Sequence, residues 1–282
     1  MSVSLSKLND ITVKKINLPD EIDPSRIRGK EINPHLYGTN LLLAGSGSGK
    51  TTILNTILEK CCDKFTRVVF FNNQIMVDPA YQYIFDWMDK AEIQWEAYEN
   101  LDTLPALIEE IHQAIASHNA EKRKLKDNPI EEEKETEAVK QIKKMLGLKE
   151  RRIKIHKKLI SPDICFVFDD ISSELKGNRY IASLLKMIRK YRIQVWICTQ
   201  HVSDIPRSIR SGGIILYILL KNNGFNELKT IWEDANMSKK IRKDDFIVLY
   251  KTITNDGEPY DFLVYDSHKN IFRKNFTHLI EI

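Results

Sequence analysis

Apolar residues fall along this chain in short unbroken runs rather than in strict alternation. "NLLLAG" (Asn40–Gly45), "RVVFFNN" (Arg67–Asn73), "DICFVFDD" (Asp163–Asp170), "IQVWICTQ" (Ile193–Gln200) and "GGIILYILL" (Gly212–Leu220) are all of this kind. A short continuous apolar run bounded by polar or glycine residues predicts a strand buried on both faces. The segments between them keep helical spacing instead. Ile53, Leu54, Ile57 and Leu58 recur on one helical face, as do Leu107, Ile111 and Ile115, and "NRYIASLLKMIRKYR" reads as another helix. The aromatic-rich stretch from Tyr81 to Trp95 also reads as mainly helical. Buried strands alternating with helices predict an α/β fold with a mainly parallel central sheet flanked by helices. Near the end, "DFIVLYKTITNDGEPYDFLVYD" places Asn255-Asp256-Gly257 between two apolar runs, which predicts a C-terminal β-hairpin over residues 246–266.

The pattern also divides the chain. Residues 1–36 form an arm punctuated by proline in "LPDEIDPS" and "INP", and residues 37–282 form the main domain. Within it, residues 118–160 are almost entirely charged, which predicts an exposed helical insertion. Its basic run "KERRIKIHKK" (Lys149–Lys158) could touch nucleic-acid backbone, but the acidic run "EEEKETE" just before it argues for a solvated face.

Bulk composition adds only limits. The 282 residues are 42% hydrophobic and 29% charged, with net charge +4, as in an ordinary globular protein. A pI near 8.7 permits a nucleic-acid partner without requiring one. The longest apolar run, Ile214–Leu220, is far short of the roughly 20 residues of a membrane span. The N-terminus has no secretory h-region, so no membrane segment or signal peptide is expected. Cys61, Cys62, Cys165 and Cys198 show neither zinc spacing nor a disulfide framework, which suits a reducing, intracellular compartment.

The chemistry begins at "AGSGSGKTT", residues 44–52. The phosphate-loop pattern G-x-x-x-x-G-K-[ST] fits positions 44–51, with Ala44 in place of its first glycine. A strand precedes it and a helix follows. Gly45, Ser46, Gly47, Ser48 and Gly49 would curl backbone N–H groups around an anion. Lys50 would reach the outer phosphates, Thr51 would ligate Mg2+, and the start of the helix, through Thr52, would add its positive dipole end. A methyl at position 44 is expected to be tolerated at the strand end. In "CFVFDD", Asp169 would serve Mg2+, and Asp170 stands where many ATPases of this type carry a glutamate that polarises the attacking water.

Gln200 ends the next strand. If that strand lies between the phosphate-loop strand and the Asp169 strand, Gln200 faces the terminal phosphate, as in the P-loop branch with an additional inserted strand. The absence of an N-K-x-D motif argues against GTP, and the absence of L-S-G-G-Q argues against a transporter-type ATPase. Arg189, Arg192, Arg207 and Arg210 flank Gln200 and are candidates for insertion into a neighbouring subunit's site.

Taken together, "AGSGSGKTT", "CFVFDD", "RKYRIQVWICTQ" and "IPRSIRS" resemble the virion DNA-packaging ATPases of large eukaryotic DNA viruses and virophages, within the FtsK–HerA superfamily of DNA-pumping motors. The resemblance covers about positions 37–220, leaving the arm, the charged insertion and the C-terminal hairpin outside it. Arg189, Gln200 and Arg210 match the family's basic residue, strand-end glutamine and downstream arginine. Lys190 departs from the histidine that is common there.

The resemblance implies a RecA-like (ASCE) core that hydrolyses ATP with Mg2+. It also implies a homo-oligomeric ring of about five or six subunits, double-stranded DNA as cargo, and capsid vertex proteins as partners. The location would be the host cytoplasm, viral factory or virion. The alternatives are a related ATPase moving single-stranded DNA or assembling virions, or a non-motor P-loop protein such as a nucleoside kinase with residues 118–160 as its lid.

Overall fold

The computed structural model describes residues 23–45, 47–127, 159–188, 192–255, 258 and 260–282. Ser46, Arg189, Lys190, the basic run 149–158 and most of the arm and insertion lie outside these residues.

All five apolar runs form strands: β1 (Gly38–Leu43), β2 (Arg67–Phe71), β4 (Ile164–Asp169), β5 (Ile193–Thr199) and β6 (Ile214–Leu219), and the run 94–98 adds β3 (Gln94–Tyr98). Three C-terminal strands follow, β7 (Leu263–Asp266), β8 (Ile271–Lys274) and β9 (His278–Ile280). They join one nine-stranded sheet in the order β3-β2-β4-β5-β1-β6-β7-β8-β9. The pairs from β3 to β6 are parallel, and those from β6 to β9 are antiparallel.

The helices are α1 (Lys50–Cys61), α2 (Pro79–Lys90), α3 (Leu104–Asp127), α4 (Arg179–Met187), the short α5 (Arg207–Gly213), α6 (Phe225–Asp234) and α7 (Lys243–Asn255). They cover both faces of the sheet, which is why its central strands are apolar throughout. Leu42 and Ala44 pack with Leu54 and Ile57 of α1 and with Tyr81 and Ile84 of α2 on one face. Leu41 and Leu43 pack on the other face in the same core as Leu104 of α3, Leu184 of α4, Leu228 of α6 and Phe246 of α7.

Local rules explain where the elements begin. Asp78 caps α2 by accepting the Ala80 N–H at 2.8 Å, with Pro79 in the first turn where its missing N–H costs nothing. Tyr81, Ile84, Phe85 and Met88 then line the buried face at helical spacing. The arm is part of the domain from residue 23 onward. Ile27 bridges Ile160, and the Arg273 guanidinium donates to the carbonyls of Glu31 and Ile32 at 2.5 and 2.8 Å.

The structure corrects two sequence expectations. The aromatic stretch is not helical to its end, because Gln94–Tyr98 forms an edge strand beside β2. Only one neighbour and partial burial are available there, so its apolar signal is weak. The hairpin expected over 246–266 does not form. Its first half is α7, whose buried residues Phe246, Ile247, Tyr250 and Thr254 follow a period near 3.6. The β-branched residues of "IVLYKTIT" favour a strand locally, but packing decides otherwise. Phe246 lies 6.2 Å from the Phe272 ring, and the Tyr250 hydroxyl donates to the Leu220 carbonyl at 2.5 Å. The true hairpin is β7–β8, turning through Asn270 at φ 55°. Asp256 and Gly257 lie outside the described residues.

If α7 anchors this end of the sheet, Phe246→Ala should cost about 3–5 kcal/mol of unfolding free energy, measured by urea denaturation. A loss below about 1 kcal/mol would place position 246 outside a packed core.

Candidate active site

At the C-terminal edge of the parallel strands, β1 leads into the phosphate loop and the loop leads into α1. Ala44 is fully buried, and its N–H donates to the Thr199 carbonyl at 3.1 Å. The methyl group that departs from the motif therefore fills core space. Gly45 is the position that excludes a side chain, since an added Cβ would lie 2.7 Å from the Cβ of Asn222. Its N–H donates to the Lys221 carbonyl at 3.3 Å, and the Ser48 hydroxyl donates to the same carbonyl at 3.3 Å. The loop after β6 thus braces the phosphate loop from one side.

Gly47 is exposed on the loop. Gly49 has φ 86° and is the N-cap of α1; the left-handed backbone that this requires favours glycine. The first N–H of α1 to find a helical acceptor is that of Ile53, bonded to Gly49. Those of Thr51 and Thr52 precede it and, among the described residues, have no acceptor one turn back, the usual condition of a helix start. They form the anion-binding end of the helix.

Lys50 reaches across from α1 to the end of β4. Its Nζ stands 2.9 Å from Oδ1 of Asp169 and is also ion-paired with Asp170. Burial pulls the ammonium toward neutrality, but the two carboxylates outweigh it, so its pKa is held above the ordinary value.

Asp169 is 1% exposed, whereas Asp170 is half open to solvent. Burial pushes the Asp169 carboxyl upward, against the opposing pull of Lys50 and Tyr81. Oδ2 of Asp169 accepts from the Tyr81 hydroxyl and from Nδ2 of Asn72 at 3.4 Å. Oδ1 is buried and faces the Lys50 ammonium, its charged partner. Asp170 has φ 50°, a left-handed geometry that aspartate tolerates better than most residues. This bend turns it out of the strand toward Lys50.

The inserted strand is present. β5 pairs with β1 on one side and β4 on the other. Gln200 follows its last residue and is exposed at the sheet edge between the phosphate loop and Asp169. Arg210 points elsewhere. Its Nη1 donates to Asp234 at 2.6 Å and its Nε to the Ile205 carbonyl at 2.9 Å, so its guanidinium is engaged within its own chain. Arg207, on the same short helix, is exposed with no partner among the described residues.

No protein-family model and no curated protein matches the chain. Solved structures do. The genome packaging NTPase B204 from Sulfolobus turreted icosahedral virus 2, in complex with ATP-gammaS, is 15% identical at a TM-score of 0.47, over 86% of this chain and 98% of that one. The pCW3 conjugation coupling protein TcpA with ATPgS is 12% identical at 0.45, over 86% of this chain and 58% of that one. The cytoplasmic domain of the Thermomonospora curvata Type VII secretion ATPase EccC is 13% identical at 0.43, over 82% and 24%.

The residues fit a magnesium ion of the phosphate-bound type. Among the described residues no three carboxylate, imidazole or thiolate groups converge, so a dedicated protein cage is absent there. Mg2+ normally needs only one or two carboxylates beside substrate phosphates. The buried Oδ1 of Asp169, which the Lys50 ammonium now neutralises, and the hydroxyl of Thr51, on the first turn of α1, are that kind of set. The four cysteines are buried free thiols. No helix among the described residues is long and apolar enough to cross a membrane.

Sequence reading missed Tyr81, Asn72 and the loop at Lys221–Asn222. The two asparagines after "RVVFF" were the available signal for Asn72. Nothing local marks Tyr81, which reads as an ordinary core aromatic of α2.

Tyr81→Phe should destabilise the protein by about 1.5–3 kcal/mol at neutral pH, the range for a hydrogen bond to a charged group. The sign with pH follows from the raised carboxyl. The stability linked to Asp169 is complete below the usual carboxylate range and is lost as pH rises through its raised folded value. Removing the hydroxyl raises that value further. The penalty should therefore be larger at pH 7.5 than at pH 4 in paired denaturation curves; an equal penalty would separate Tyr81 from the carboxylate.

Proposed function

We propose that this chain is an ATP-hydrolysing motor that translocates double-stranded DNA into a preformed capsid. The observation that carries the ATPase half is the meeting of Lys50, Asp169 and Asp170 at the phosphate loop, with Gln200 brought beside them by the inserted strand β5. The DNA half rests on the order and spacing of the motifs resembling packaging ATPases.

Lys50, now bound to two carboxylates, transfers to the β- and γ-phosphates when a triphosphate fills the loop. That exchange releases Asp170, whose exposed carboxylate then accepts a proton from the attacking water. Gln200 orients the same water. The water oxygen bonds to the γ-phosphorus as the bond to the bridging oxygen breaks, and ADP leaves with that electron pair. Thr51 and Asp169 would hold Mg2+, which when bound would neutralise phosphate charge. Backbone N–H groups of Gly47 through Thr52 hold the phosphates throughout.

Arg210 is committed to Asp234. We therefore assign the arginine acting from a neighbouring subunit to Arg189, with the exposed Arg207 as the second candidate. Such a site would be complete only in a homo-oligomeric ring, which couples hydrolysis to movement at subunit boundaries. The cargo would be gripped through phosphate, so binding would fall steeply with salt and ignore sequence.

ATP turnover should rise when double-stranded DNA is added at low salt, and ATP should promote oligomers. Turnover indifferent to DNA of any length, with no oligomer formed, would overturn the motor reading. Lys50→Ala should abolish turnover. Asp170→Asn should keep nucleotide binding while slowing hydrolysis at least about 100-fold; near-normal turnover would remove Asp170 from the chemistry. Mixing Arg189→Ala with Lys50→Ala subunits should restore activity if the arginine acts in trans.

A further inference from the structure

The nucleotide site as described recognises only phosphate. Nothing in it meets the base. The placement of the charged groups nevertheless gives the base a direction on that reading. Asp169, Asp170 and Gln200 stand at the ends of β4 and β5, on one side of β1. A terminal phosphate seated among them sends the rest of the nucleotide the other way, over the start of α1 toward β6 and β7.

One aromatic ring waits on that side. Tyr260 is 72% exposed, yet it lies against the phosphate loop: a Cβ on Gly49 would sit 3.4 Å from its Cδ1 and 3.7 Å from its Cε1. It precedes β7, whose first residue, Leu263, pairs with the last residue of β6, Leu219, so it stands at the same sheet edge as the loop. The backbone that carries it is pinned. The Asp261 N–H donates to the Glu258 carbonyl at 3.0 Å. The buried Asp261 carboxylate accepts from the Glu258 N–H at 2.7 Å and from Asn275 at 2.7 Å, and pairs with Lys274 at 2.6 Å. A ring carried next to an anchored residue, with its face open beside the phosphate loop, is placed for a flat partner.

We propose that Tyr260 is the base-stacking residue of this site and takes the purine ring of ATP against its face. The proposal rests on the nucleotide-binding reading above and adds the contact that distinguishes a nucleotide from a bare polyphosphate. Stacking needs the ring and not the hydroxyl. It tolerates any base, but favours the larger surface of a purine.

The test is calorimetric binding of ATP and of inorganic tripolyphosphate, each with magnesium, to the full chain. Tyr260→Ala should weaken ATP about tenfold and leave tripolyphosphate unchanged. Tyr260→Phe should bind both like the native chain, and Lys50→Ala should weaken both. If the native chain binds both ligands but Tyr260→Ala binds ATP normally, the stacking proposal fails and the nucleotide reading stands. Equal weakening of both ligands by Tyr260→Ala would mean that the ring only shapes the loop at Gly49, and would also overturn the proposal. A native chain that binds neither ligand would end the nucleotide reading itself.

Discussion

The Lys50 ammonium stands 2.9 Å from the Asp169 carboxylate, across an edge where three different strands end. Lys50 belongs to the helix after β1, Asp169 to β4, and β5 runs between them. The pair forms only if the inserted strand keeps its register, if the loop turns back over the sheet, and if α1 starts where it does. A buried ion pair of this kind is a poor source of stability, because desolvation offsets most of the attraction. Burial acts on both partners, pushing the Asp169 carboxyl up and opposing the charge on Lys50. The arrangement makes physical sense as a charge held ready for exchange. On the proposed reading an incoming polyphosphate takes Lys50, and the buried Oδ1 of Asp169 that Lys50 now neutralises would be free to face a cation.

The surrounding residues serve that readiness in different ways. Tyr81 and Asn72 fix one oxygen of Asp169 and leave the other turned to the phosphate loop. The left-handed turn at Asp170 brings a second carboxylate out of the strand into solvent, where a water can reach it. On the far side, the loop at Lys221–Asn222 presses so closely on Gly45 that no side chain fits there. The phosphate loop is thus flanked on both sides of β1, by charged groups toward β4 and β5 and by close packing toward β6.

The sheet was legible in the sequence because its central strands are buried on both faces and read as unbroken apolar runs. The elements that failed to read are those at its margins. Gln94–Tyr98 is an edge strand, half exposed, and its two aromatics blend into the preceding helix. Lys243–Asn255 carries β-branched residues ahead of a strong turn signal, yet the spacing of Phe246, Tyr250 and Thr254 was helical, and packing against β8 settled the contest. In the site, the backbone-driven parts were visible, since a glycine-rich loop between strand and helix and a strand-terminal aspartate pair are local patterns. Tyr81, Asn222 and the internal pairing of Arg210 with Asp234 were not, because each depends on residues far apart in the chain meeting in space. Arg210 is the instructive case: the resemblance marks it as a site residue, but its partner Asp234 lies on α6, where no motif reaches.

On the proposed reading the Lys50–Asp169–Asp170 cluster is a nucleotide site at rest, with Asp169 free to serve a magnesium ion once phosphate draws Lys50 away. Calorimetric titration of the full chain with ATP, with and without magnesium, addresses it directly. One ATP should bind per chain, distinctly more tightly with magnesium than without. Failure to bind ATP, or the same affinity in the presence and absence of magnesium, would contradict it.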